Sequence, residues 1–188
     1  MVAEPTPYRW DVASYLALVT AGIIDEDERV ELLDGEIIQM APIGNPHQAA
    51  VDILNRTFVT VLGERAIVRV QGSFVLSRVS MPQPDVLVLA PRRDFYRHGS
   101  PAPDDVLLVV EVSDSSLHYD LSRKVPAYAA GGVAEAWVIN LPEGRIEIFG
   151  SPGRQGYQHQ RAAHPGESVS PSAFPDLVVS VEDVVGTA

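Results

Sequence analysis

Apolar residues in this chain fall into short runs punctuated by glycine and proline, and two of the runs are apolar at successive positions. Val106-Leu107-Leu108-Val109-Val110 has no polar alternation, the pattern of a strand covered on both faces, and Val86-Leu87-Val88-Leu89 reads as the strand that pairs with it. They are expected to lie at the centre of a sheet. Upstream, Val12, Tyr15, Leu16 and Val19 recur at spacings of three and four, which predicts a helix over residues 10–21 that Gly22 ends. Residues 29–33 and 36–40 flank Asp34-Gly35, a hairpin signal because both turn positions need positive φ. Asn45 as N-cap and Pro46 at the first helical position open a second helix, with Ala50, Val51, Leu54, Phe58, Val61 and Leu62 as its buried stripe. Residues 66–71 and 74–79 read as two strands joined at Gly72-Ser73, so the sheet has at least four strands. Beyond the central pair come a helix ended by Gly131-Gly132, a hairpin of residues 136–140 and 145–149, a strand near 157–161, and an apolar stretch at 177–185.

The second central run ends in Glu111, a carboxylate on an otherwise apolar strand. Unpaired, such a charge costs several kcal/mol, so a cation is expected beside it. If the two runs pair antiparallel with Ala90 opposite Val106, the register carries on to set Asp85 opposite Glu111. Directly opposed residues share a face with Cβ atoms about 4.5–5.5 Å apart. Two carboxylates so placed repel unless a cation lies between them, and a divalent metal resolves the conflict. A slip of one residue would send them to opposite faces. Further on, Asp120, Lys124 and Tyr128 recur at intervals of four and share one helical face, although Pro126 favours a kink between the last two. By itself that spacing fits a surface ion pair; its closeness to Glu111 is what gives it interest. Glu31, midway along the first hairpin arm, reads from its position alone as a solvent-facing strand carboxylate. His47 falls in the first turn of the second helix, where exposure is the common case, and at most it supports a site from behind.

Composition narrows this picture further. With 188 residues, 46% of them hydrophobic, the chain is expected to form a single domain over residues 1–188. It has no cysteine, which excludes disulfides and thiolate metal sites and points to a reducing compartment. Neither a leader pattern at residues 1–10 nor a membrane-length apolar run is present, so a soluble, cytoplasmic protein with no membrane partner is expected. A formal charge of −11, from 14 basic and 25 acidic residues, argues against tight nucleic-acid binding. The acidic cluster at residues 25–28 reads as a solvated turn. Residues 91–98, Pro-Arg-Arg-Asp-Phe-Tyr-Arg-His, are the one basic and aromatic segment resembling a nucleic-acid contact. Seven residues separate Asp85 from Arg92, about 23 Å along an extended strand, so a solvated loop is the favoured reading.

Taken in order, Glu31-Leu32-Leu33-Asp34-Gly35-Glu36, His47, Pro84-Asp85, Glu111-Val112-Ser113, Asp120 with Lys124, Tyr128, and Gly132-Val133-Ala134-Glu135-Ala136-Trp137 resemble the Uma2 family of the PD-(D/E)XK nuclease superfamily. The similarity spans nearly the whole chain. It implies an α/β, restriction-endonuclease-like fold: a mixed central sheet flanked by helices, with an N-terminal helix and hairpin and a C-terminal hairpin added. By resemblance, Asp85 and Glu111 are the metal carboxylates, Lys124 is the catalytic lysine displaced onto the following helix, and Glu31 is an added acidic member. Ser113 stands where that lysine is missing, and Asn140 stands where the family often has aspartate. The chemistry implied is hydrolysis of a DNA phosphodiester by a Mg²⁺-dependent endonuclease, with Mg²⁺ or Mn²⁺ on hard carboxylate oxygens and Asp120 and Tyr128 positioning Lys124.

Two other readings belong to different classes. One is a catalytically idle nuclease-fold module for protein interaction or DNA association. The other is a buried ion network of Asp85, Glu111 and Lys124 without metal. For the enzyme, DNA binding is expected to be weak and salt-dependent. A homodimer would carry Arg92, Arg93 and Arg97 of one subunit towards the cleft of the other.

Overall fold

The computed structural model describes residues 6–25 and 27–186. Residues 1–5 and Glu26 of the acidic cluster lie outside them. Helix α1 (Val12–Thr20) is capped by Asp11, whose carboxylate accepts the Ser14 N–H at 2.9 Å. The hairpin of β1 (Val30–Leu33) and β2 (Glu36–Gln39) turns at Asp34 and Gly35, with φ of +51° and +77°. Helix α2 (Asn45–Leu62) precedes β3 (Ile67–Val70), β4 (Val86–Leu89) and β5 (Val106–Ser113). A single turn, α3 (Leu117–Tyr119), runs into a π-helical segment, Asp120–Lys124, and then α4 (Val125–Ala130). Strands β6 (Glu135–Asn140), β7 (Arg145–Gly153) and β8 (Gly156–Ala163) follow. The short pair β9 (Ser168–Val169) and β10 (Val179–Ser180) leads into α5 (Val181–Val185).

Strands β3 to β8 form one six-stranded sheet in chain order, antiparallel except where β6 runs parallel to β5. Helical residues 117–130 make the crossover between those two, as a parallel pair requires. Period-two alternation divides the strands between two cores. Val86, Val88, Leu108, Val110, Val112, Trp137 and Ile139 pack against α2 and α5. Leu87, Leu89, Val109, Ala136, Val138 and Phe149 pack against Val125, Tyr128, Phe74 and Leu76. By the same parity Glu111 belongs to the second face, the one covered by α4. The α/β architecture expected from the sequence is therefore present, with β5 central. No helix among the described residues is long and apolar enough to cross a membrane.

Four local expectations are corrected. Residues 74–79 form no sheet strand: Gln71 turns with φ +50°, Ser77 and Ser80 close a tight turn, and Pro82 and Pro84 have no N–H for a ladder. Phe74 instead stacks on Tyr128, ring centroids 6.1 Å apart. Gly44, not Asn45, caps α2, because Gln48 N–H closes the first turn onto the Gly44 carbonyl at 3.1 Å. Val61 lies on the flank of α2 and is 39% exposed. Glu31 does not face solvent; β1 is buried on both sides, and Glu31 is 1% exposed between Leu32 and the cleft end of the sheet.

The turn that delivers Glu31 is tightly held. Gly35 donates to Val79 O at 2.7 Å and accepts from Trp10 N–H at 2.9 Å. A Cβ at Gly35 would meet Arg9 Cβ at 2.8 Å and Trp10 O at 3.2 Å, on top of the positive φ. Gly35→Ala should therefore destabilise the protein by about 1–3 kcal/mol. A urea midpoint equal to wild type would contradict this.

Candidate active site at the buried carboxylate–lysine cluster

The register of β4 and β5 decides whether two carboxylates meet. Val86 pairs with Val110, Leu87 with Val109 and Val88 with Leu108, which continues to Asp85 opposite Glu111. The far end differs from expectation: Leu89, not Ala90, lies opposite Val106, because an irregularity between Val88 and Leu89 absorbs one residue. That bulge is remote from Asp85 and leaves the site register intact.

Asp85 lies just before β4, where its Oδ2 accepts the Val112 N–H at 2.8 Å and His47 Nε2 at 3.1 Å. His47 Nδ1 is buried without a partner. Glu111 Oε1 accepts the Tyr128 hydroxyl and lies 2.8 Å from Lys124 Nζ. The same ammonium lies 3.1 Å from Glu31 Oε2. Glu31 also accepts the Gln83 N–H at 3.0 Å and the Tyr119 hydroxyl at 3.3 Å. Asp120 does not contact Lys124 through a hydrogen bond; its Oδ2 accepts from Ser113 Oγ at 2.7 Å and Ser116 Oγ at 2.6 Å. Ser113 thus holds Asp120 rather than supplying a charge in place of lysine.

The helical crossover makes this convergence possible. In a regular α-helix residues four apart drift by about 40°, so Asp120 and Tyr128 would splay by about 80°. The π turn at Asp120–Lys124 places an extra residue in that turn and takes back part of the drift. It also admits Pro126 into the first turn of α4, where the missing N–H is tolerated. Asp120, Lys124 and Tyr128 are all buried as a result.

Charge in the cluster is unbalanced. Glu31, Asp85, Glu111 and Asp120 bring four carboxylates to one ammonium, all buried. Burial pushes Glu111 well above the usual carboxylate range, and Lys124 offsets this only in part. Burial likewise raises Asp120. For Lys124, burial works against the charge, but Glu111, Glu31 and Asp120 outweigh it and hold the ammonium protonated. Tyr128 is raised by burial and then by Glu111, so it stays a donor. Glu31, Asp85, Glu111, Asp120 and Lys124 line a cavity of about 280 Å³. Ile38, Met40, Pro42 and Ile43 form an apolar wall, and Asp114 to Ser116 form part of the rim.

The structure therefore brings Glu31, His47, Asp85, Glu111, Ser113, Asp120, Lys124 and Tyr128 into one cluster. It keeps residues 91–98 apart, at the other end of β4. Asn140 is buried beside Ser113 in the parallel register of β5 and β6, accepts the Glu143 N–H at 3.1 Å, and makes no hydrogen bond to the cluster's carboxylates or Lys124. Gln83, Ser116 and Tyr119 were not anticipated. Tyr119 adjoins Asp120 and Gln83 sits between two prolines, but neither position announces a contact with Glu31.

Among the described residues no group of three or more His, Cys, Asp or Glu is placed to hold a metal together. The donors that face each other are the pair Asp85 and Glu111. That set fits Mg²⁺ or Mn²⁺, which take one or two carboxylates and keep several waters. The excess of buried negative charge fits a cation as well.

The raised carboxylates give the metal-free protein a characteristic pH dependence. Folded Glu111 retains a proton that unfolded Glu111, near 4.5, has lost. The native state then binds more protons, and stability falls as pH rises from the ordinary carboxylate range towards the folded value. Melting temperature in chelator should drop as pH rises above the ordinary carboxylate value of 4.5, and Glu111→Gln should flatten that slope. An identical slope in both proteins would contradict the assignment of strain to Glu111.

The chain aligns with relatives as follows. The family model Uma2, described as "putative restriction endonuclease", matches residues 12–182. A solved structure from Anabaena variabilis, described as a putative nuclease belonging to DUF820, superposes with a TM-score of 0.72. The two share 18% identity over 94% of this chain and 97% of that one, a likeness of fold. No curated protein matches. With the family model covering the chain from α1 to α5, this protein belongs to the Uma2 family.

Proposed function

We propose that this chain hydrolyses phosphodiester bonds of DNA with a divalent cation, Mg²⁺ or Mn²⁺, at Asp85 and Glu111. The observation that carries this reading is Lys124, 3% exposed, bridging Glu31 and Glu111 beside a second carboxylate held in register. The family's description and the nuclease named among its structural neighbours support the same class. When bound, the cation supplies an acidified water and neutralises charge on the phosphoryl group.

The chain's own residues position and stabilise. Tyr128 and Lys124 converge on Glu111 Oε1 and fix that carboxylate. The Val112 N–H and His47 fix Asp85 through one oxygen, Oδ2. Glu31 anchors the ammonium from the opposite side, so Lys124 is held in place before substrate arrives. A preorganised positive charge of this kind stabilises charge developing on phosphate without reorganisation. The buried site, with Tyr119 and the apolar wall at its edges, limits competing water.

The discriminating residue is Lys124. Removing it outright leaves Glu31 and Glu111 uncompensated and should destabilise the fold by about 3–5 kcal/mol. Lys124→Arg keeps the charge but replaces a point charge with a planar fork. Wild type should cleave at least one of supercoiled, linear, single-stranded and branched DNA in Mn²⁺. Lys124→Arg should melt cooperatively and turn over about 10²–10³ more slowly. Cleavage unchanged from wild type in both Lys124→Arg and Asp85→Ala would expose a contaminating nuclease. Absence of cleavage by wild type on every substrate would favour an idle nuclease-fold module.

A further inference from the structure

Phe95 and Tyr96 are consecutive non-glycine residues in the left-handed region, with φ of +52° and +60°. Each such residue is strained and persists only where the surroundings over-determine it. Here they do. The Tyr96 hydroxyl donates to Ala90 O at 2.9 Å, Arg69 Nη2 donates to Phe95 O at 3.1 Å, and the Arg92 guanidinium covers the Tyr96 ring at 4.7 Å. Arg92 is also paired with Asp94 at 2.7 Å. All of this buries Tyr96 and turns its neighbour outward: Phe95 is 68% exposed. Arg93, Arg97 and His98 stand exposed around it, and no ion pair holds Arg93 or Arg97 among the described residues.

A solvent-facing aromatic ring flanked in sequence by two exposed arginines that no ion pair holds among the described residues, on a chain whose net charge is −11, is a specific combination. Its neighbours are polar, so an apolar protein pocket is a poor match. Its charge favours an anion, and its ring favours a flat π face. We infer that residues 91–98 bind a single-stranded nucleic-acid segment, with Phe95 stacking on an unpaired base and Arg93 and Arg97 taking flanking phosphates. Duplex bases are stacked on each other and offer no such face. The site lies the length of β4 away from Asp85, so a strand held here also has to run along the molecule to reach the cleft. This inference shares its ligand class with the proposed function but neither its residues nor its metal.

The test is binding of a fluorescent oligothymidylate by anisotropy, in chelator and at low salt, where no hydrolysis is proposed. Wild type should bind, and Phe95→Ala should bind about 5- to 100-fold more weakly, the loss of one stacked base. Phe95→Trp should retain affinity. Arg93→Ala with Arg97→Ala should reduce the slope of log K against log salt by about 1.4, two single-strand phosphate contacts. Phe95→Gly should lose binding while raising the melting temperature, because glycine relieves the positive φ. No binding by wild type, or equal affinity of wild type and Phe95→Ala, would overturn the inference. So would a Phe95→Ala variant that loses only self-association in sedimentation, which would mark the loop as a protein contact. Each outcome stands apart from whether the cleft cuts DNA.

Discussion

The structure is arranged around one buried carboxyl group. Glu111 sits on the central strand of a six-stranded sheet, 3% exposed, with apolar residues before and after it. A carboxylate there is tolerable only with a close cation and with its lone pairs occupied. Lys124 supplies the first, and Tyr128 shares the same oxygen. Burying that lysine then calls for a second carboxylate, which the β1–β2 hairpin delivers as Glu31. Glu31 needs its own donors and finds them in Gln83 and Tyr119. Each partner brings in another element, so the hairpin, the turn before β4 and the crossover are all fixed by the chemistry of one strand position.

Irregular backbone lies where this network demands it. The π turn realigns residues spaced by four and accommodates Pro126, at the expense of regular helix geometry. Pro82 and Pro84 prevent residues 74–85 from extending the sheet, and so free the Gln83 N–H to bond Glu31. The arrangement still leaves more carboxylates than cations. That residual charge is the physical reason for regarding the Asp85–Glu111 side of the cluster as a cation site rather than a completed ion network.

Much of this was legible in the chain, for identifiable reasons. Unbroken apolar runs at residues 86–89 and 106–110 marked buried central strands, and their register was readable because period-two pairing propagates. The Ala90–Val106 pairing that the runs suggest differs from the structure by one residue, yet the bulge responsible lies beyond Val88 and does not reach Asp85. Position alone hides the burial of Glu31, because strand alternation cannot reveal that a second layer closes the outer face. The ordered resemblance, which rests on the whole pattern, did place it among the acidic residues. The π turn could not be read, since Asp120, Lys124 and Tyr128 look alike in a straight helix. Contacts of Gln83 and Tyr119 with Glu31 span 52 and 88 residues and have no local signature.

The claim on which the account turns is that Asp85 and Glu111 together need a divalent cation. Calorimetric titration of Mn²⁺ into the chelator-stripped protein measures this directly, with Asp85→Ala as the comparison. The account gives saturable binding to wild type, accompanied by proton release as Glu111 gives up the proton that burial favours, and loss of that binding in Asp85→Ala. Undetectable binding by both proteins would contradict it, and would leave Glu31, Lys124 and Glu111 as an ion network that stabilises the fold without metal.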